Sequence, residues 1–325
     1  MIMQNKTVLI TGAKGFIGSV LCRDYSNSYN IIAIDSSALP EGRSNFAFVK
    51  GDITDNDLLD KLCGEFRPDT IVHCAGIAHQ KLSMIGLDEY FLVNSHATEH
   101  LAKAAIKVNP DVRFIFLSSI SVYGEDKLNC PVSEDAVCNP SSDYAKSKLD
   151  AEKRLIKLYD AGLLKKLDIL RLSPVYDSEW SLNLDRRVFA FNKLAYIKFG
   201  SGEQKISAVS RQNLADFIKY RLNQVKDSSS CNIINVCDKE PYKFREIIRI
   251  FKQSEYQPNR MVLWIPLIFV WFATRFVGII LKNKQSWMYS SYDKLAGSLI
   301  FDNKKMLETG FNPKYDLESV FLENK

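Results

Sequence analysis

Thr11-Gly12-Ala13-Lys14-Gly15-Phe16-Ile17-Gly18 closes an apolar run, Thr7 to Ile10. It opens a stretch, Phe16 to Tyr25, whose apolar residues recur at helical intervals. Strand, glycine turn and helix, in that order, are the context in which spaced glycines acquire meaning. Without side chains at Gly12 and Gly15, backbone N–H groups can approach a pyrophosphate at the positive end of the helix, and Gly18 lets that helix pack close on the strand. Lys14, Phe16 and Ile17 belong to the same turn and join the three glycines as cofactor-binding candidates.

Asn30-Ile31-Ile32-Ala33-Ile34-Asp35 is a second short strand, ending in an acid about 20 positions after the glycine turn. A carboxylate there accepts from both ribose hydroxyls of an adenosine and repels a 2′-phosphate, which favours NAD; Lys14 keeps NADP as the alternative. Phe46 to Val49 reads as a third strand, and Gly51-Asp52-Ile53 follows where an adenine would rest, with Asp52 placed to bond its exocyclic amine. Helical residues from Asp55 to Phe66 lead to a fourth strand, Thr70 to Cys74, and the alternation of strand and helix predicts a parallel sheet. The small residues of Ala75-Gly76-Ile77-Ala78-His79 permit close approach of a flat dinucleotide.

A long helix is expected from about Leu87 to Val108. It carries His96-Ala97-Thr98-Glu99-His100, a match to the H-x-x-E-H pattern of one zinc peptidase class, but with no third ligand in view polar residues on a helix flank are the better reading, and no metal is expected. Val112 to Leu117 is a fifth strand that delivers Ser118, Ser119, Ser121 and Tyr123 at its carboxyl end, where open α/β sheets bind ligands. Pro140-Ser141-Ser142-Asp143 supplies a helix start. Tyr144 and Lys148 then fall four residues apart, on one face of that helix. A phenol is a poor base at neutral pH, but a nearby ammonium and a nicotinamide cation both favour the phenolate, so Tyr144 can take the proton of a substrate hydroxyl. Lys148 would lower the phenol's pKa and hold the nicotinamide ribose, and Ser119 would hydrogen-bond the reacting oxygen.

With 325 residues, 46% of them hydrophobic, the chain can bury a large core. A net charge of +5, from 43 basic and 38 acidic residues, is too mild and mixed to argue for nucleic acid. Seven cysteines without a Cys-x-x-Cys pair indicate neither a disulfide framework nor a zinc ribbon. The early entry into a strand leaves no room for a signal sequence, so a cytoplasmic chain is expected.

Taken together, Thr11 to Gly18, Asp35, Gly51 to Ile53, Ala75 to His79, Val93-Asn94, Ser118 to Gly124, Tyr144 to Lys148 and, less well, Arg171 to Tyr176 resemble the extended short-chain dehydrogenases/reductases of the nucleotide-sugar epimerase and dehydratase group. Leu295 to Leu299, with Asp302 and Gly310-Phe311, is similar to the tail of bacterial members. The resemblance implies an α/β fold: a Rossmann-type doubly wound parallel sheet over 1–174, with 207–237 returning to it, and a smaller, mostly helical substrate domain from 175–206 and 238–325. It implies bound NAD, a sugar-nucleotide substrate and a homodimer. It makes Ser119, Tyr144 and Lys148 catalytic, with Ala75, Gly76, Asp52 and Ile53 lining the cofactor and His79 near the substrate.

The substrate half departs from the pattern. Tyr176 is followed by Asp177 rather than Gly-Pro, and an arginine that helps hold the diphosphate in relatives falls at Ile206, leaving Lys205 or Arg211 as substitutes. The expected reaction is 4-epimerization of a UDP-hexose or UDP-N-acetylhexosamine. The alternatives are an NAD(P)H-dependent reductase of a UDP-4-keto-6-deoxy-hexosamine and a non-catalytic dinucleotide-binding protein. Dehydration is disfavoured because Ser119-Ile120-Ser121 lacks the Asp-Glu pair that 4,6-dehydratases carry there. Met261 to Leu281 is densely apolar but too short to span, with Arg275 interrupting it, so a buried or half-buried helix is expected, with peripheral membrane contact as the alternative.

Overall fold

The structure, a computed structural model, describes residues 6–37, 46–78, 86–124, 131–190, 193–224, 229–256, 260–280, 292 and 296–323. The chain divides into two units: Met1–Tyr123, Val137–Arg171 and Ala215–Ile234 form the first, and Gly124–Ala136, Leu172–Leu214 and Asn235–Lys325 the second.

The first unit is built on a seven-stranded sheet. Its strands are β1 (Thr7–Thr11), β2 (Asn30–Asp35), β3 (Phe46–Lys50), β4 (Thr70–His73), β5 (Arg113–Ser119), β6 (Lys166–Leu172) and Ser230–Val236, in the spatial order β3-β2-β1-β4-β5-β6 and then Ser230–Val236. Every pairing from β3 across to β5 is parallel. Strands covered on both faces need continuous apolar runs, and Val8-Leu9-Ile10, Ile31 to Ile34 and Phe114 to Leu117 supply them. The order reverses between β1 and β4, which puts the ends of those two strands at the switch point where doubly wound sheets bind ligands.

Helix α1 (Gly18–Tyr25) follows β1, α2 (Asn56–Phe66) follows β3, and α5 (Asp143–Asp160) precedes β6. Asp55 and Ser142 accept from the backbone N–H of Leu58 and Ala145, capping α2 and α5. The long helix expected from Leu87 runs without a break to Val108, as α3 (Leu87–Phe91) and α4 (Ala97–Val108) joined through a π-turn over Leu92–His96. Leu59, Leu101, Ala105, Ala151 and Leu155 of these helices pack with Leu9, Ile71, Phe114 and Phe116 of the sheet in one core.

In the second unit, Asp238 is buried and accepts the hydroxyls of Tyr176 and Tyr242 at 2.7 and 2.8 Å and the Asn213 amide at 2.6 Å. Around these tyrosines Val188, Tyr196, Phe244, Phe251 and Phe321 form a second core. Gly124–Ala136 belongs to this unit rather than to the first because Val132 pairs with the chain's tail: its N–H donates to Ile300 O, and Asp302 N–H donates back to Val132 O. The reading of Met261 to Leu281 as one helix needs correction. Met261–Ile265 is a strand lying parallel to Ala195–Phe199, and the helix runs from Leu267 to Ile280. Pro266 lies between them; the residue before a proline is pushed toward extended backbone, and proline suits a helix start. One side of the segment is half-buried, with Leu263, Leu267, Val270 and Trp271 partly covered and Thr274 buried, while the other is open: Trp264, Phe269 and Phe276 are each more than 60% exposed. Among the described residues no helix is long and apolar enough to cross a membrane.

The glycine turn is closed by contact. Gly12 has φ +64°, and a Cβ added at Gly18 would lie 2.1 Å from Gly12 O. Gly18→Ala is therefore expected to lower the unfolding free energy by about 1–3 kcal/mol. Gly64→Ala, in α2 with nothing within 4 Å of the added carbon, is expected to raise it by about 0.5–1 kcal/mol. Paired denaturant titrations measure both.

Candidate active site

The turn after β4 is fixed by a buried chain of hydrogen bonds whose proton positions follow from its two ends. Ala75 N–H donates to Thr11 Oγ1 at 3.1 Å, and Thr98 Oγ1 donates to Asn94 O at 2.8 Å. His73 lies between the two hydroxyls, with Nδ1 2.7 Å from Thr11 Oγ1 and Nε2 2.8 Å from Thr98 Oγ1. Since the Thr98 proton is committed to Asn94 O, Nε2 carries the ring proton and Nδ1 accepts from Thr11. The ring is wholly buried, and desolvation, reinforced by the Lys148 ammonium, lowers its pKa to about 3.

Asn94 stands in the π-turn, a local distortion that turns one side chain out of helical register. Its Oδ1 accepts Ile77 N–H at 2.8 Å, while Nδ2 donates to Ile77 O at 3.0 Å and to Ser147 Oγ at 3.0 Å. All the side chain's donors are used. The turn is thereby pinned to α5, the helix that carries Tyr144 and Lys148.

Ser119 ends β5, and its hydroxyl bonds the phenol of Tyr144. Ser121 donates both its N–H, at 3.2 Å, and its hydroxyl, at 2.9 Å, to Ser119 Oγ, which directs the Ser119 proton to the phenol. Burial raises the phenol's pKa, and the Ser119 bond opposes the rise. One turn along α5, Lys148 is buried, donates to Leu117 O at 2.9 Å and stands 4.7 Å above the Phe116 ring. Desolvation brings its pKa down to about 8, with the Cys74 and Glu152 side chains opposing. Ser119 and Tyr144 thus meet at the end of β5, and Lys148 reaches Leu117 O on the same strand.

Behind them lies an ion pair. Arg171 Nη2 donates to Glu152 Oε2 at 2.7 Å and Arg171 Nε to Oε1 at 3.1 Å, both side chains being buried, and Ser118 Oγ donates to the same carboxylate. The guanidinium covers the Tyr123 ring at 4.8 Å. This bidentate pair joins β6 to α5 directly beneath Ser119 and Lys148.

The residues can hold a flat dinucleotide. An added Cβ at Gly12 would lie 2.8 Å from Ala75 N, and one at Gly76 2.9 Å from Asn94 Oδ1 and 3.3 Å from Lys148 Nζ, so at these positions only glycine leaves the backbone open. Asp35 ends β2 with Oδ2 on Lys14 N–H at 2.9 Å and Oδ1 on Ser37 N–H at 3.0 Å, a carboxylate held at the glycine turn. Phe16 and Ile17 are half-buried beside exposed Gly15. Asp52 accepts Thr54 N–H and Oγ1, both at 2.9 Å, and Ile53 is buried. His79 lies outside the described residues.

Lys205 and Arg211 belong to the second unit. Lys205 donates its N–H to Ser298 Oγ, and Ile206 is buried in packing, 1% exposed. Arg211, one of the two substitute cations, pairs at 2.6 Å with Asp177, the acid that departs from the family pattern after Tyr176. Of the helical pair, His100 meets Asp60 at 3.1 Å, while Glu99 pairs with Lys103 and Arg154, each at 2.6 Å. Sequence reasoning missed Thr11, His73, Asn94, Ser121, Ser147 and Glu152 as parts of this site. Thr11, Asn94, Ser121 and Ser147 fall inside the motif stretches, while His73 and Glu152 gave no local signal.

The model of the NAD dependent epimerase/dehydratase family matches residues 8–237. The chain is similar to a UDP-glucose 4-epimerase of Vibrio cholerae, 29% identical over 98% of this chain and 94% of that one. It is also similar to the N-acetyl-alpha-D-glucosaminyl-diphospho-ditrans,octacis-undecaprenol 4-epimerase of Escherichia coli O157:H7, 29% identical over 77% of this chain and 73% of that one. Among solved structures, UDP-glucuronic acid 4-epimerase from Bacillus cereus in complex with NAD superimposes with a TM-score of 0.71 at 22% identity, covering 97% of this chain and 95% of that one, a likeness of fold.

The neutral His73 makes stability depend on pH. Its folded pKa lies below the unfolded value, so between pH 6.5 and about 3 the unfolded chain binds a proton that the folded chain does not, and stability falls as pH falls through that window. His73→Gln is expected to be less stable at pH 7.5. Its decline from pH 6.5 to 4 should nevertheless be shallower than the wild type's, by up to about 1.4 kcal/mol per pH unit. Urea titrations across that range measure the difference.

Proposed function

This chain belongs to the NAD dependent epimerase/dehydratase family, and on that premise we propose that it is a nucleotide-sugar 4-epimerase. The observation that carries the reading is the Ser119–Tyr144 hydrogen bond, with the buried Lys148 ammonium one helical turn away. When bound, NAD accepts a hydride from the sugar's C4 and gives it back. Gly12, Lys14, Gly15, Phe16, Ile17 and Gly18 would hold its pyrophosphate, Asp35 its adenosine ribose, Asp52 and Ile53 its adenine, and Ala75, Gly76, Tyr144 and Lys148 its nicotinamide half.

Tyr144, as phenolate, takes the proton of the C4 hydroxyl as C4 becomes a ketone. It returns the same proton to the C4 oxygen once the ketone has turned its other face. With substrate bound, the single Ser119 proton would turn from the phenol to that oxygen. Burial alone disfavours the phenolate, so positive charge must offset it. The nicotinamide cation would supply it, and Lys148, one helical turn from Tyr144 and with a pKa of about 8, is mostly protonated at neutral pH. Ser119-Ile120-Ser121 offers no second acid and base for eliminating water, which favours epimerization over dehydration.

A second reading concerns the carrier. The Escherichia coli O157:H7 relative acts, by its name, on a sugar joined through diphosphate to a polyprenol, and this chain exposes an unusual apolar surface at Met261–Phe276. A polyprenyl diphosphate in place of UDP is supported by both.

Purified enzyme is expected to carry NAD, released by denaturation and identified by mass spectrometry, and to interconvert the C4 epimers of UDP-hexoses or UDP-N-acetylhexosamines with no cofactor added. Tyr144→Phe should lower kcat by about 10²–10⁴-fold with the dinucleotide retained. Consumption of one NAD(P)H per product would identify a reductase instead, and unchanged turnover in Tyr144→Phe would remove Tyr144 as the base.

A further inference from the structure

Of the twelve large hydrophobic residues exposed among the described residues, seven lie in the sixteen positions from Met261 to Phe276, and an eighth, Leu194, immediately precedes the strand paired with Met261–Ile265. Met261, Trp264, Ile268, Phe269, Phe272 and Phe276 are each 54–67% exposed. On the helix, Ile268, Phe272 and Phe276 follow at intervals of four and so share a face, with Phe269 beside them. The outward face of a surface helix is ordinarily polar; this one carries four of the large hydrophobic residues exposed among the described residues.

The sequence around it carries charges of one sign. From Tyr256 to Tyr292 the sequence contains no Asp or Glu, while Arg260, Arg275, Lys282 and Lys284 are all cationic, in a chain that carries 38 acidic residues overall. Three of its four tryptophans, Trp264, Trp271 and Trp287, fall in the same stretch. Trp264 Nε1 donates to Gly200 O at 2.8 Å while its ring stays exposed, and Arg275 stands 5.7 Å from the Trp271 ring. At 14 residues the helix is about 21 Å long, short of the ~30 Å hydrocarbon core.

From these observations we infer that Met261–Phe276 is a lipid-inserting face, by which the enzyme lies on the surface of an anionic bilayer without crossing it. Apolar side chains enter the acyl boundary, tryptophans sit at headgroup depth, and the cations meet anionic headgroups. A protein partner would need complementary acids opposite Arg260 and Arg275, whereas an anionic leaflet supplies negative charge everywhere along it. The inference stands on the second unit alone and does not depend on which carrier holds the sugar.

The test is flotation of the full chain with vesicles of phosphatidylcholine alone and with 30% phosphatidylglycerol, a composition chosen as an anionic probe at roughly physiological salt. Wild type is expected to float with the anionic vesicles and to be released by 0.5 M salt only in part, because the apolar insertion persists. The double substitution Phe269→Glu, Phe272→Glu is expected to lower the bound fraction about tenfold while leaving turnover of a water-soluble nucleotide sugar unchanged. Arg275→Gln should weaken binding to anionic vesicles alone. Failure of wild type to float overturns the proposal, as does equal flotation of the double variant. So does a dimer that the double variant converts to monomer in light scattering, with no vesicle binding by wild type, since the face would then join two copies. Loss of the epimerase reading would appear in the turnover assay and leave the flotation result intact.

Discussion

The fixed point of the structure is a neutral imidazole with no access to water. His73 stands where the backbone of β4 leaves the sheet, and through Thr11 on one side and Thr98 on the other it ties the first strand, the fourth strand and the helix behind them into one proton-ordered chain. Each hydroxyl both gives and receives, so no member can turn over without leaving a buried donor or acceptor unmet, at a cost of about 1–3 kcal/mol each. The chain ends at Ala75 N–H and Asn94 O, the two points that define the turn where a dinucleotide would lie. An arrangement with that much internal constraint presents a rigid floor to the chemistry above it.

The second support is ionic. Glu152 and Arg171, nearly inaccessible, orient each other in bidentate geometry and take up Ser118, so the strand end carrying Ser119 and the helix carrying Lys148 are joined at their bases. A buried pair of this kind adds little net stability over an apolar pair of similar volume; what it specifies is position. The candidate catalytic groups therefore stand on one neutral and one charged network.

Much of this was legible beforehand. Strands buried on both faces must be written as unbroken apolar runs, so β1, β2, β4 and β5 could be read from composition alone, and the glycine turn and Tyr144–Lys148 spacing followed from local geometry. The π-turn was not legible, because one residue of extra winding leaves the apolar period of Leu87–Val108 almost unchanged, and what shows its purpose is Asn94 reaching a turn 17 residues earlier. His73 looked like the last residue of a strand, since nothing local shows that two threonines 62 and 25 residues away meet its ring. The Met261 segment misled because an all-apolar run has no period to read. Pro266 was the available clue. The exposure of that segment is a tertiary fact: fully burying one such phenylalanine or tryptophan would contribute about 1.5–3 kcal/mol, and the fold forgoes it several times over.

The way the two units share one polypeptide governs how the molecule can come into being. The chain passes from one unit to the other after Tyr123, Ala136, Arg171, Leu214 and Ile234, so neither unit is a continuous piece of sequence. The edge strand Ser230–Val236, last in the central sheet, is synthesised only after most of the second unit's first half. Emerging from the ribosome, the first unit must wait for residues near 236 before its sheet is complete, and the apolar edge of β6 stays uncovered until then. Neither half can be cut out as a single fragment that keeps all its strands, and such a gene would resist rearrangement by simple exchange of front and back ends.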